Sequence, residues 1–87
     1  MRRPPATKLD ESHATLGQLV EHALVDYFDH LEGSIPTNLH DLVIQQVEQA
    51  LYASTLNHTD GNQSKAADIL GISRTTLRKK LMQYQLL

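Results

Sequence analysis

Apolar residues recur at helical spacing along this chain, first in two long runs and then in two short ones. That rhythm restricts it to an all-α fold. Leu16, Leu19, Val20, Ala23, Leu24, Tyr27, Phe28 and Leu31 fall at i, i+3, i+4, i+7, i+8 and onward, a single stripe over about four helical turns. Thr15-x-x-Gln18 opens it as a capping box, in which each side chain satisfies an orphan backbone donor of the other. Glu21, Asp26 and Asp29 lie off the stripe, and Gly33 supplies a C-terminal stop. After a loop containing Pro36, the spacing predicts a second helix from near Thr37 or Asn38, with Asp41 well placed in its first turn. Its stripe is Leu39, Leu42, Val43, Val47, Ala50 and Leu51, while Ile44 and Tyr52 fall outside it. No alternating strand pattern and no internal repeat is visible.

That surplus of apolar surface matters because the chain has only 87 residues. A domain of this size buries only about 60% of its unfolded surface. One antiparallel neighbour cannot cover so wide a helix; the alternatives are that the short C-terminal helices cover the surplus or, the preferred reading, that a second copy of the chain does. Val43, Val47 and Leu51 are the residues expected near the seam of that homodimer. Cysteine is absent, so neither disulfides nor thiolate metal sites are available. Residues 1–14, with Pro4-Pro5, read as a flexible tail. Arg2-Arg3 is followed by no apolar segment of the kind a secretion signal needs, and no run approaches a membrane span. The expected organisation is therefore tail 1–14, helical dimerisation core 15–60, and a distinct C-terminal unit 61–87.

The C-terminal unit differs in rhythm and in charge. Asn62 can cap a helix of about two turns, Gln63 to Leu70, with Ala66, Ala67, Ile69 and Leu70 facing inward. Gly71 turns the chain, and Ser73 caps a last helix from Arg74 to about Tyr84 whose inner face is Leu77, Leu81 and Tyr84. The overall charge of −2 hides an asymmetry. Residues 1–60 carry three basic side chains against nine acids, a net −6, whereas residues 61–87 carry five against Asp68 alone, a net +4. A basic end on an acidic body concentrates attraction for a polyanion in one place.

Two short helices around a turn glycine, with a small residue at the crossing (Ala67), have the geometry of a helix-turn-helix. The exposed face of the last helix is then Arg74, Thr75, Arg78 and Lys79, flanked by Thr76 and Lys80. Arginine near the start of a recognition helix suits bidentate bonds to guanine, and lysines suit phosphates. The amides at Asn62-Gln63-Ser64 begin the preceding helix and favour a phosphate.

The block Gly-Asn-Gln-Ser-Lys-Ala-Ala-Asp-Ile-Leu-Gly-Ile-Ser-Arg-Thr-Thr-Leu-Arg-Lys-Lys-Leu, residues 61–81, resembles the C-terminal signature of the Fis family (factor for inversion stimulation), bacterial nucleoid-associated proteins. The similarity continues upstream through Ala23-Leu24-Val25-Asp26-Tyr27-Phe28, Leu31-Glu32-Gly33 and Val47-Glu48-Gln49, and covers roughly residues 15–87. The resemblance implies an intertwined homodimer with a four-helix core. It further implies recognition helices set closer than one DNA turn, so that double-stranded DNA bends and its minor groove narrows. By motif position Arg74 is the guanine-reading arginine. Asn62, Ser64, Lys65, Thr76, Lys79 and Lys80 are the other contacts it implies, mostly with phosphates, while Gln63 and Arg78 join the DNA-binding set from their place at the start of the third helix and on the exposed face of the last. Ser73 stands where asparagine is usual near the bases, which implies a different sequence preference. Ala50 stands where a helix-kinking proline is known, which implies a straighter second helix. RNA polymerase or recombination proteins are further partners of the kind the resemblance suggests. The recombinase-activating role is not carried over, because it uses a β-hairpin arm where this chain has a short polar tail.

The rival reading is a C-terminal Fis-type DNA-binding domain of an enhancer-binding transcription activator, with Arg2-Arg3-Pro-Pro-Ala as a linker stub. A stand-alone transcription regulator is preferred, because the match runs through both long helices and Met1 offers a start. An enzyme is disfavoured. His13, His22, His30, His40 and His58 form no His-x-x-x-His pair, and no phosphate loop or nucleophile elbow is present. No cofactor and no metal is called for. A purely protein-binding helical module would leave the basic Arg74–Lys80 face unexplained.

Overall fold

The computed structural model describes residues 14–87; the expected tail lies outside them but for Ala14. Four helices follow in order, α1 (Leu16–Asp29), α2 (Leu39–His58), α3 (Gln63–Leu70) and α4 (Arg74–Gln83), with no strand among the described residues. The chain is all-α, as the periodicity requires. It divides into two compact units, one ending at Thr37 and the other spanning Asn38–Leu87.

The first unit carries α1. Thr15 Oγ1 accepts the Gln18 amide at 3.0 Å while the Thr15 amide donates to Gln18 Oε1 at 2.8 Å, so the capping box is complete. The helix stops at Asp29, earlier than the stripe suggests, and Leu31 falls in the turn that follows. Two successive left-handed residues, Glu32 (φ 52°) and Gly33 (φ 86°), follow there and break the helical path. Leucine at 31 satisfies the apolar period without being helical, because period alone cannot see a left-handed turn one residue away. No residue of α1 is buried, and Leu16, Leu19, Val25 and Phe28 are exposed.

The second unit is α2 with the two short helices packed on its C-terminal half. Its core is Tyr52, Ala66, Ala67, Leu77 and Leu81, with Leu56, Leu70, Ile72, Tyr84 and Leu86 packed around them. Tyr52, which falls outside the α2 stripe, is the buried residue of that helix, at 7% exposure. Glu48, Tyr52 and Leu56, at i, i+4 and i+8, make one side of α2, the side that meets α3 and α4. Val43, Val47 and Leu51 repeat the same spacing on another side. Val43 and Val47 are half-buried there, and Leu51 is 47% exposed.

The expectation that Ile69 faces inward fails: it is 60% exposed, and Ala66, Ala67 and Leu70 supply the inner face of α3. A helix of only eight residues has room for one narrow contact stripe. Ala50 lies within α2, which runs unbroken for 20 residues.

Candidate nucleic-acid interface

The interface is built on how α3 and α4 are capped and joined. Asn62 Oδ1 accepts the Lys65 amide at 3.0 Å, and the Asn62 carbonyl accepts the Ala66 amide at 3.0 Å. Those bonds start α3, and the amides of Gln63 and Ser64 are the ones helix geometry leaves without a carbonyl partner. At the other end Gly71 is left-handed, φ 72°, and the Ile72 amide reaches back to the Ala67 carbonyl at 3.1 Å. A Cβ at Gly71 would meet nothing within 4 Å. Glycine is needed there for its φ, not for space.

Ser73 then caps α4. Its Oγ accepts the Thr76 amide at 3.1 Å and donates to Thr76 Oγ1 at 2.9 Å. Arg74 is therefore the first residue of the helix, and its side chain leaves the first turn. Ala66 and Ala67, essentially unexposed, let the two helices cross closely, while Leu77 and Leu81, both at 0%, anchor α4 beneath. What remains outward is a concavity of about 370 Å³ lined by Gln63, Arg74, Thr75 and Arg78. Two guanidinium groups and a carboxamide thus share one wall. Such a site is rich in N–H donors and suits acceptor-bearing, negatively charged partners.

The sequence-derived residues divide into three sets. Gln63, Arg74 and Arg78 come together at the concavity, with Thr75 as a fourth lining residue. Ser64, Lys65 and Lys79 are exposed on the outer turns. Asn62, Ser73 and Thr76 spend side-chain atoms on helix caps.

Lys80 stands apart. It is only half exposed, and its Nζ donates to Glu48 Oε1 on α2 at 3.3 Å. The same oxygen accepts the Tyr84 hydroxyl at 2.6 Å. The Tyr84 bond, joined by that of Lys80 and the lysine charge, holds the Glu48 carboxyl below its ordinary value against a smaller opposing effect of burial. In return the carboxylate pushes the Tyr84 phenol up to about 12. Tyr52 and Tyr84 lie alongside each other with ring centroids 6.2 Å apart. Glu48 was not among the sequence-derived candidates. Its partners lie 32 and 36 positions away, beyond any local pattern.

The sequence profile of bacterial regulatory proteins of the Fis family matches residues 43–84, which include α3, α4 and their glycine turn. Three relatives illustrate the breadth of similarity. A protein of Pseudomonas aeruginosa described as Fis-like and DNA-binding is 51% identical over 73 residues, 84% of this chain and 70% of its own length. The DNA-binding protein Fis of Glaesserella parasuis is 44% identical over 79% of this chain and 70% of its own. A protein of Ralstonia nicotianae, also described as Fis-like and DNA-binding, is 41% identical over 87% of this chain and 99% of its own.

Proposed function

This chain belongs to the Fis family of bacterial regulatory proteins, and from that membership we propose that it binds and bends double-stranded DNA as a homodimer, regulating transcription as a nucleoid-associated protein. The observation that carries this reading is the Gln63–Arg74–Thr75–Arg78 concavity at the start of α4. Its donors face outward from a helix whose other side is anchored by Leu77 and Leu81. A helix held in this way can be pressed into a major groove as a rigid body.

Roles follow from position. Arg74, at the first turn, reads a guanine edge with its planar fork. Arg78 and Gln63 flank the same groove wall. Ser64, Lys65 and Lys79, with the first amides of α3 between Asn62 and Ser64, take phosphates, which position the protein without reading sequence. Ser73 and Thr76 hold the first turn of α4 in the orientation Arg74 needs.

Dimerisation is supported by the apolar side chains one chain leaves uncovered. These are Leu16, Leu19, Val25 and Phe28 on α1 and Leu51 on α2, which lies on the same side as the half-buried Val43 and Val47. Residues 15–60 are proposed as the dimerisation region. The Tyr52 side of α2 serves at the same time as the seat of the 61–87 unit. The protein acts by binding and not by catalysis, with the nucleoid as its place of work. No described helix is long and apolar enough to cross a membrane. RNA polymerase and recombination proteins are candidate further partners.

Fluorescence anisotropy with duplex DNA over a salt series tests the reading. We expect affinity to fall linearly in a log–log plot, as counterion release requires. Affinity that ignores salt, or no binding at low salt, overturns it.

A further inference from the structure

We propose that Glu48 sequesters Lys80 from DNA, acting as an internal substitute for phosphate on the inner flank of the recognition helix. The inference rests on the DNA-binding reading above and refines which of its cations neutralise the duplex. Lys79 and Lys80 are adjacent, so the helix turns them about 100° apart. Lys79 is exposed, whereas Lys80 lies toward the buried Leu77–Leu81–Tyr84 side, 31% exposed, with its ammonium 3.3 Å from a carboxylate that is itself only 26% exposed.

Glu48 is not free to swing away from this position. The Tyr84 hydroxyl, 2.6 Å from the same Oε1, holds it from one side while α2 fixes its backbone. Moving Lys80 to a phosphate would strand a half-buried carboxylate beside a polyanion. The counterions released on binding count the phosphates that cations neutralise, about 0.9 in log–log slope for each on duplex DNA. Lys80 therefore contributes nothing to that slope, although it sits in the basic run Arg78-Lys79-Lys80.

The test compares salt dependence of binding to one duplex by the full chain and five variants. Lys80→Ala should leave the slope unchanged. Lys79→Ala should lower it by about 0.9 per bound chain. Glu48→Gln should raise it by the same amount, because Lys80 is released, and adding Lys80→Ala to Glu48→Gln should return it to the original value. Tyr84→Phe loosens the cluster but keeps both charges, so it should lower thermal stability without moving the slope; a purely structural role for Glu48 predicts the same flat response from Glu48→Gln. If Lys80→Ala alone lowers the slope as much as Lys79→Ala does, the sequestration is wrong, and that single comparison suffices even if Glu48→Gln fails to fold. An unchanged slope in Glu48→Gln also overturns it. Failure of the unmodified protein to bind DNA at all overturns the DNA-binding reading instead.

Discussion

The Tyr84 hydroxyl donates to Glu48 Oε1 at 2.6 Å, a bond that ties the residue closing α4 to the middle of α2 across 36 positions of sequence. With the tilted Tyr52 ring beside Tyr84 and Lys80 on the same oxygen, it decides how the proposed recognition helix is held against the long helix. Its chemistry leads to the first prediction.

Stability should respond to pH at both extremes through this pair. Glu48 titrates below its ordinary value of 4.5, so its contribution is present above that pH and is lost as pH falls through the lowered value. Tyr84 titrates at about 12 instead of 10, so its contribution is complete below pH 10 and is lost as pH rises from there toward 12. Thermal melts of the unmodified chain and Tyr84→Phe should differ at pH 7 and converge as pH approaches 12. A constant difference across that range rules out the linkage.

The small core predicts large losses at two positions. Leu77 and Leu81 are both fully buried, and truncating either to alanine should cost about 2–5 kcal/mol. Met82→Ala, at an exposed neighbouring site, should cost within about 0.5 kcal/mol. Denaturant unfolding followed by circular dichroism measures both, and equal effects contradict the assignment of the core.

Gly71→Ala isolates a backbone effect, since beyond the adjoining residues no atom lies within 4 Å of the added Cβ. The left-handed conformation alone should cost roughly 1–2 kcal/mol. Equilibrium unfolding of this variant with no loss would show that the turn relaxes to another conformation.

Assembly should depend on the open side of α2. Sedimentation equilibrium at micromolar concentration should give twice the mass of the chain, and Val47→Asp should shift it toward a single chain. A buried, unpaired carboxylate at an apolar seam is strongly unfavourable. An unmodified protein sedimenting at the mass of one chain would remove the dimer from the proposal.

Arg74 should separate specificity from affinity. Arg74→Ala is expected to cost ~1–3 kcal/mol of preference for guanine at the site edge while weakening nonspecific binding less. Replacing uncontacted central A·T pairs by G·C should also reduce affinity, because the minor groove then narrows less easily. Competition among duplexes differing at one position reads both. An intact guanine preference in Arg74→Ala would take the base-reading role away from this residue.

What was legible in the sequence is local in its physics. The Thr15–Gln18 box, the Asn62 and Ser73 caps and the left-handed Gly71 each depend on residues within three or four positions, so α1, α3 and α4 begin where the caps predict. Burial of Leu77 and Leu81 followed from helical period, and that of Ala67 from the close crossing a helix-turn-helix needs. Resemblance to the family, read from residues 61–81, carried the function because its motif is contiguous.

Tertiary structure decided what period cannot. α2 is apolar on more than one side, and nothing local says which side receives α3 and α4. Packing assigned that role to Tyr52 and Leu56, and left Val43 and Val47 half-buried and Leu51 exposed on another side. It turned Ile69 outward because so short a helix buries one stripe only. It also placed Glu48 against Lys80 and Tyr84. A charge pair separated by 32 residues has no signature in spacing, since it exists only once two helices have docked.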